Sequence, residues 1–247
     1  ENLPTGNGTV GTAAVTRATP DGYTMGQGNI MTLAITRSVL GKLPYDVDKD
    51  LQLVVQHIFT PNLLGVSPTL QIKTVRELID YAKQNPGKLI YASAGNGSSM
   101  HLSGELLKLM TGTDIVHVPY KGAQQAIAEI IGGQVHFMFD NMASILPHVK
   151  SGRVRGVAVT SMKRSPAIPE LPTMDESGVP GFEIVPWAGV IVPAGVPKAI
   201  VERINREVNK ALTSVVLKEK MMALGYEFVG GTSEQFVQHV RKENAKW

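Results

Sequence analysis

The sequence predicts an α/β protein built around a parallel, doubly wound sheet, and three observations carry that expectation. From Lys88 onward β-rich runs and helical stripes alternate: strand 88–93, helix 99–110, strand 114–118, helix 123–131, strand 135–139, helix 143–150 and strand 154–160. Parallel neighbours need crossovers of this length. The first of these strands runs through Ala94-Gly-Asn-Gly-Ser98 straight into its helix. The residues just past the strand ends, 93–99, Pro119-Tyr-Lys-Gly122, Asp140-Asn141 and Thr160-Ser161, are small, polar or charged, and ligands of such sheets sit outside the carboxyl ends of the strands.

The elements follow in order. Glu1-Asn-Leu-Pro-Thr-Gly-Asn-Gly8 reads as the loop after a strand, with no strand before it. Gly6-Asn-Gly8-Thr-Val-Gly11 matches the dinucleotide pattern G-x-G-x-x-G, which also requires a preceding strand and an acidic residue ending the next one. Neither is visible, and a plain glycine-rich turn is the competing reading. A helical stretch 9–17, the turn Pro20-Asp-Gly22, a strand 23–27 and a helix 29–40 come next, followed by a polar loop broken by Pro44. Runs 51–58 and 62–66 are β-rich and punctuated by Pro61 and Pro68, which suits a passage between domains. Thr74-Val-Arg-Glu77 is a capping box for helix 75–84, whose apolar face is Val75, Leu78, Ile79 and Ala82.

Leu89, Ile90 and Tyr91 give the next strand, and Gly95 and Gly97 supply positive φ in the turn. Ser98 or Ser99 caps a helix with the stripe Leu102, Leu106, Leu109 and Met110. The first turn of such a helix presents unpaired N–H groups and a positive dipole end, so it can hold a carboxylate or phosphate. An ordinary strand-to-helix corner is the alternative, and spacing leaves both open. Residues 163–183 are proline-rich with little periodicity and read as a long surface loop. A strand 187–192, a helix after Pro197 with Ile200, Val201, Ile204 and Val208 on one face, and helices 217–224 and 235–246 around a strand 227–229 complete the chain.

Composition narrows the function classes. A formal charge of +3 over 247 residues, with no basic run, gives no footprint for nucleic acid. The absence of cysteine excludes disulfides, thiolate metal sites and cysteine nucleophiles. The six histidines form no H-E-x-x-H or other ligand spacing, so no metal is expected. Ser98, Ser99, His101 and Asp140 are the residue types of a hydrolase, yet Gly97-Ser-Ser-Met-His is not G-x-S-x-G and His101 shares a helix with both serines. Asp140 ends an apolar strand, where it could orient a ligand hydroxyl or amine or cap the following helix.

Taken together, Pro20-Asp-Gly-Tyr-Thr24, Leu43-Pro-Tyr-Asp46, Asn85-Pro-Gly-Lys-Leu89, Ala94-Gly-Asn-Gly-Ser98, His101-Leu102, Val116-His-Val-Pro-Tyr-Lys-Gly122, Gly132-Gly-Gln-Val135, Pro147-His148 and Pro193-Ala-Gly195 closely resemble the tripartite tricarboxylate transporter receptors, the Bug family of periplasmic solute-binding proteins. The resemblance covers essentially the whole chain. It implies a type II periplasmic binding protein with two doubly wound α/β domains joined by a hinge. The domains it implies are 1–68 with 186–247, without the first strand and helix that the resemblance leads one to expect of domain 1, and 69–185 as domain 2. It further implies a monomeric periplasmic receptor, without enzymatic activity or cofactor, that takes a small carboxylate ligand into an interdomain cleft and delivers it to a membrane permease. Residue by residue, Ser93 and the turn Asn96, Gly97, Ser98 and Ser99 resemble the second-domain anion cradle. Gly28 and Asn29 resemble a first-domain wall, and Asp140 the position that reads the far end of the ligand. The domains would close about 64–68 and 185–190, taken as the only crossings. The alternative is a nucleotide-dependent enzyme using Gly6–Gly11.

Overall fold

The computed structural model describes residues 1–3 and 8–247 and divides into two compact units: Glu1–Phe59, Trp187–Lys220 and Glu227–Trp247 form the first, Thr60–Pro186 and Met221–Tyr226 the second. The chain therefore passes between units four times, not at the two expected segments alone. The additional excursion exists because 221–226 packs on the second unit: a Cβ on Gly225 would overlap the Met142 side chain.

In the first unit, α1 (Thr9–Thr16) precedes β1 (Gly26–Asn29), and a π-helical turn Met31–Ile35 runs on into α2 (Thr36–Leu40). After α3 (Val47–Asp50), β2 (Leu51–Phe59) closes this stretch of the unit. Much later come β8 (Trp187–Pro193), α8 (Lys198–Leu212), α9 (Val215–Ala223, whose residues from Met221 onward belong to the second unit), β9 (Glu227–Phe228) and α10 (Ser233–Lys246). The sheet order is β1-β8-β2-β9, with every pairing antiparallel. Val54, Val55, Val192 and Val196 make a core against Ile200, Val201, Ile204 and Val208, the face read for α8 from its spacing. Thr232 and Gln235 form a capping box that starts α10.

The second unit comprises β3 (Asn62–Val66), α4 (Val75–Gln84), β4 (Ile90–Ser93), α5 (Ser99–Thr111), β5 (Val116–Pro119), α6 (Ala123–Ile131), β6 (Phe137–Asn141), α7 (Met142–Lys150) and β7 (Arg155–Val159). The order is β5-β4-β6-β3-β7; β4 pairs parallel with β5 and β6, while β3 lies antiparallel between β6 and β7. The predicted β-α alternation is present, and a strand read as a passage between domains is instead central to the sheet. All five residues of β3 are buried, and a Cβ on Gly65 would fall 2.5 Å from Ile145 and 2.8 Å from Val154. That continuous burial is what a strand with both faces covered requires.

Side chains alternate between two cores. Leu64, Tyr91, Phe137 and Phe139 face α4 and α5, whereas Leu63, Ala92 and Met138 face α6 and α7. The proline-rich stretch after β7 is also unlike its sequence reading. Met174 and Phe182 are fully buried, with the Phe182 ring 5.8 Å from that of Phe139. Met174 N donates to Val159 O, and Val159 N to Pro172 O, so the segment runs along β7 and covers what would be an open edge.

Candidate anion-binding site

The turn between β4 and α5 is held by its own side chains. Gly95 (φ 122°) and Gly97 (φ 77°) occupy conformations that residues with a Cβ rarely adopt. Buried Ser93 accepts the Gly95 N–H on Oγ at 3.1 Å, and that oxygen lies 2.7 Å from His117 Nε2. Ser98 caps the helix: its hydroxyl donates to Gly95 O at 2.7 Å and accepts the His101 N–H at 3.2 Å. Gly97 N donates to His101 Nδ1 at 3.1 Å, so neutral His101 carries its proton on Nε2. The His101 and His117 rings are 4.4 Å apart, and His117 stacks on Tyr91 at 4.7 Å. Burial, followed by the neighbouring His101, pushes the His117 imidazole down to about 4, and burial also lowers His101. Both rings are therefore neutral near pH 7.

With Gly97 N–H committed to His101, the cradle's remaining backbone donors belong to the helix itself. Ser99 and Met100 open α5, and helix geometry leaves their N–H groups without intrahelical acceptors. They lie at the positive end of a 13-residue helix, a ready site for one carboxylate. Ser93, Gly97, Ser98 and Ser99 are brought together in this turn, and Asn96 is exposed at its tip.

A second group of polar atoms lies at the ends of β3 and β6. Asn62, fully buried, donates from Nδ2 to Ser103 Oγ at 3.1 Å, and Ser103 donates in turn to Ser99 O at 2.8 Å. Asn62 Oδ1 and Asn141 Oδ1 are buried without hydrogen-bond partners. The two residues pair across the ladder, so their side chains share the face toward α5. Asp140 pairs with Leu63 and takes the other face, beside α7. Its Oδ1 accepts the Asn141 N–H at 2.7 Å, and its Oδ2 is buried and unpaired. Burial raises the Asp140 carboxyl to about 7, against the opposing pull of the Ser144 hydroxyl and the Asn141 N–H.

Gly28 and Asn29 belong to the first unit. A Cβ at Gly28 would come within 2.6 Å of Leu33 and 2.9 Å of Ile191, so packing alone requires glycine there. Asn29 Oδ1 accepts the N–H groups of Met31 and Thr32 at 2.9 and 3.1 Å and starts the π-helical turn. This bears on the nucleotide alternative, whose pattern needs a carboxylate at the end of this strand. Gly6 of that pattern lies outside the described residues, and Gly8 caps α1. The serine-hydrolase arrangement is also missing, since Ser98 meets the backbone of His101 while the ring of His101 faces Gly97. Among the described residues no cluster of three His, Asp or Glu could hold a metal, and no helix is long and apolar enough to cross a membrane. Sequence reasoning missed Asn62, Ser103 and the partners of His117. A polar residue opening an otherwise apolar strand was the available signal for Asn62.

Comparison with known proteins places this geometry in context. Residues 1–247 match the family described as TctC, the tripartite tricarboxylate transporter family receptor. The chain is 36% identical to a UPF0065 protein of a Pseudomonas species over its whole length and 74% of the relative's. It is 34% identical to BugT of Bordetella pertussis, over 100% of this chain and 76% of BugT. Among solved structures it is similar to an R. palustris protein with adipate (TM-score 0.92, 38% identity, 97% of this chain and 80% of that one). It is also similar to MatC from Rhodopseudomonas palustris with bound malate (TM-score 0.88, 29% identity, 98% and 83%).

Proposed function

The chain belongs to the tripartite tricarboxylate transporter family receptors, and from that premise we propose that it captures a small organic acid by a carboxylate at the N-terminal turn of α5 and delivers it to a membrane permease. The carrying observation is the built turn: Ser93, Ser98 and His101 fix the loop, leaving the Ser99 and Met100 N–H groups as donors. These serve a charge without a cationic side chain, the arrangement expected for reversible capture of an anion. Relatives of known structure that hold adipate and malate support a carboxylate as ligand. The protein acts as a periplasmic receptor and not as an enzyme, and Ser93, Asn96, Gly97, Ser98 and Ser99 form the cradle. Gly28 and Asn29 act through the first-unit wall they shape, and Asp140 acts through the strand end it supports.

Calorimetry with a panel of mono-, di- and tricarboxylates, alongside NAD and ATP, tests this reading. Binding of at least one acid, and loss of that binding in Ser98→Pro, is the expected result, because proline removes an N–H and disrupts the cap. Stabilisation by a nucleotide and by no acid would overturn it.

A further inference from the structure

We propose that Asn62 is a specificity-determining residue that accepts a hydrogen bond from a hydroxyl beside the captured carboxylate, so that the preferred ligands are 2-hydroxy acids. The inference rests on the receptor reading above and refines the same site.

The orientation of the Asn62 amide is set by its surroundings. Ser103 spends its only proton on Ser99 O, so its oxygen can only accept from Asn62, and the NH2 end must face Ser103. The carbonyl end is then fixed as an acceptor, and it is buried without a donor. Asn141, its cross-strand partner on the same face, also buries an unpaired Oδ1. Buried acceptors are nearly always satisfied, and here Asn62 lies one hydrogen-bonded side chain, Ser103, away from Ser99, the first residue of the anion-holding helix. The missing complement is a donor adjacent to a bound carboxylate.

Chemistry then separates a hydroxyl from an ammonium. Both acceptors on this face are neutral amides, while Asp140, the nearby carboxyl, takes the opposite face of the strand. A buried ammonium needs a charged partner and a hydroxyl does not. Depriving a buried acceptor of its donor costs about ten- to a hundredfold in affinity.

The test is calorimetry on the full chain with acids matched except at the 2-position: succinate, malate and aspartate; adipate, 2-hydroxyadipate and 2-aminoadipate; phenylacetate, mandelate and phenylglycine. In at least one series the hydroxy acid should bind roughly tenfold or more tighter than its unsubstituted parent. Asn62→Ala should bring the two within about threefold by weakening the hydroxy acid alone. Ser103→Ala, which frees the amide to rotate, should give the same change in smaller measure and keeps the test open if Asn62→Ala fails to fold. Equal affinities across each series, tighter binding of the amino acid, or equal losses for both members in the variants would overturn the assignment of Asn62 and leave the receptor reading standing. Binding of no acid at all would overturn both.

Discussion

Replacing Asp140 by asparagine should remove one component of the pH dependence of stability. The carboxyl is fully buried, and burial lifts its ionisation to about 7 from 3.8. Between those values the folded chain keeps a proton that the unfolded chain has released. Stability contributed by the neutral acid is therefore complete below about pH 4 and is lost as pH rises through about 7. At 1.36 kcal/mol per pH unit, the loss across that window is roughly 4 kcal/mol. All six histidines act in the opposite sense, since burial holds each below 6.5 and stability they contribute is lost as pH falls. Those contributions are common to the wild type and Asp140→Asn, so the difference between the two proteins isolates Asp140. Urea unfolding should be followed by far-UV circular dichroism between about pH 4 and pH 8, because Trp187 and Trp247 both report the first unit. Hydrogen exchange of the β6 amides gives a local readout. The variant should gain on the wild type by roughly 4 kcal/mol as pH rises. A difference that stays constant with pH would mean that Asp140 is charged throughout, and would refute the reasoning.

Three further outcomes are expected. Ser98→Ala removes the cap of α5 and should cost about 1 kcal/mol, with Ser98→Gly milder, as measured by urea unfolding; equal losses would remove the cap as the cause. Gly104→Ala would drive a Cβ into the Tyr91 ring and should destabilise by about 1–3 kcal/mol. Adding Tyr91→Leu should recover part of that loss in a double-mutant cycle, and strict additivity would show that the two residues do not collide. Asn205 donates to Val54 O and Gly231 O at 2.8 and 2.9 Å, so Asn205→Ala should cost about 1–3 kcal/mol in the first unit, read by tryptophan fluorescence.

The elements that sequence reasoning located best are those with local signatures. The Thr74-Glu77 box, the α8 stripe and the alternation after Lys88 each depend on spacings within one or two turns, and each is present. The backbone course of the turn from β4 into α5 was legible for the same reason, since two glycines and a capping serine specify it locally. What escaped was set by partners far away in sequence. Nothing in Asn62–Val66 announces an antiparallel position between strands more than seventy residues later, and the Asn62 amide acquires its meaning only from Ser103. The stretch around Phe182 looked like surface because its apolar residues follow no period. They are placed one at a time by contacts with β7 and Phe139 instead of by a helix or strand of their own.

The strand order also dictates when each unit can form. Among the described residues β1 pairs with β8, and β2 with β8 and β9, so these pairings wait until roughly 130 residues beyond Phe59 have been made. At ordinary rates of synthesis that is a wait of about ten seconds, during which Leu51–Phe59 lacks its β8 and β9 partners. The second unit has its strands in hand much earlier, because β3 through β7 are all complete before β8 begins. Folding should therefore proceed from the inserted unit outward, with β1 and β2 pairing once β8 has been made.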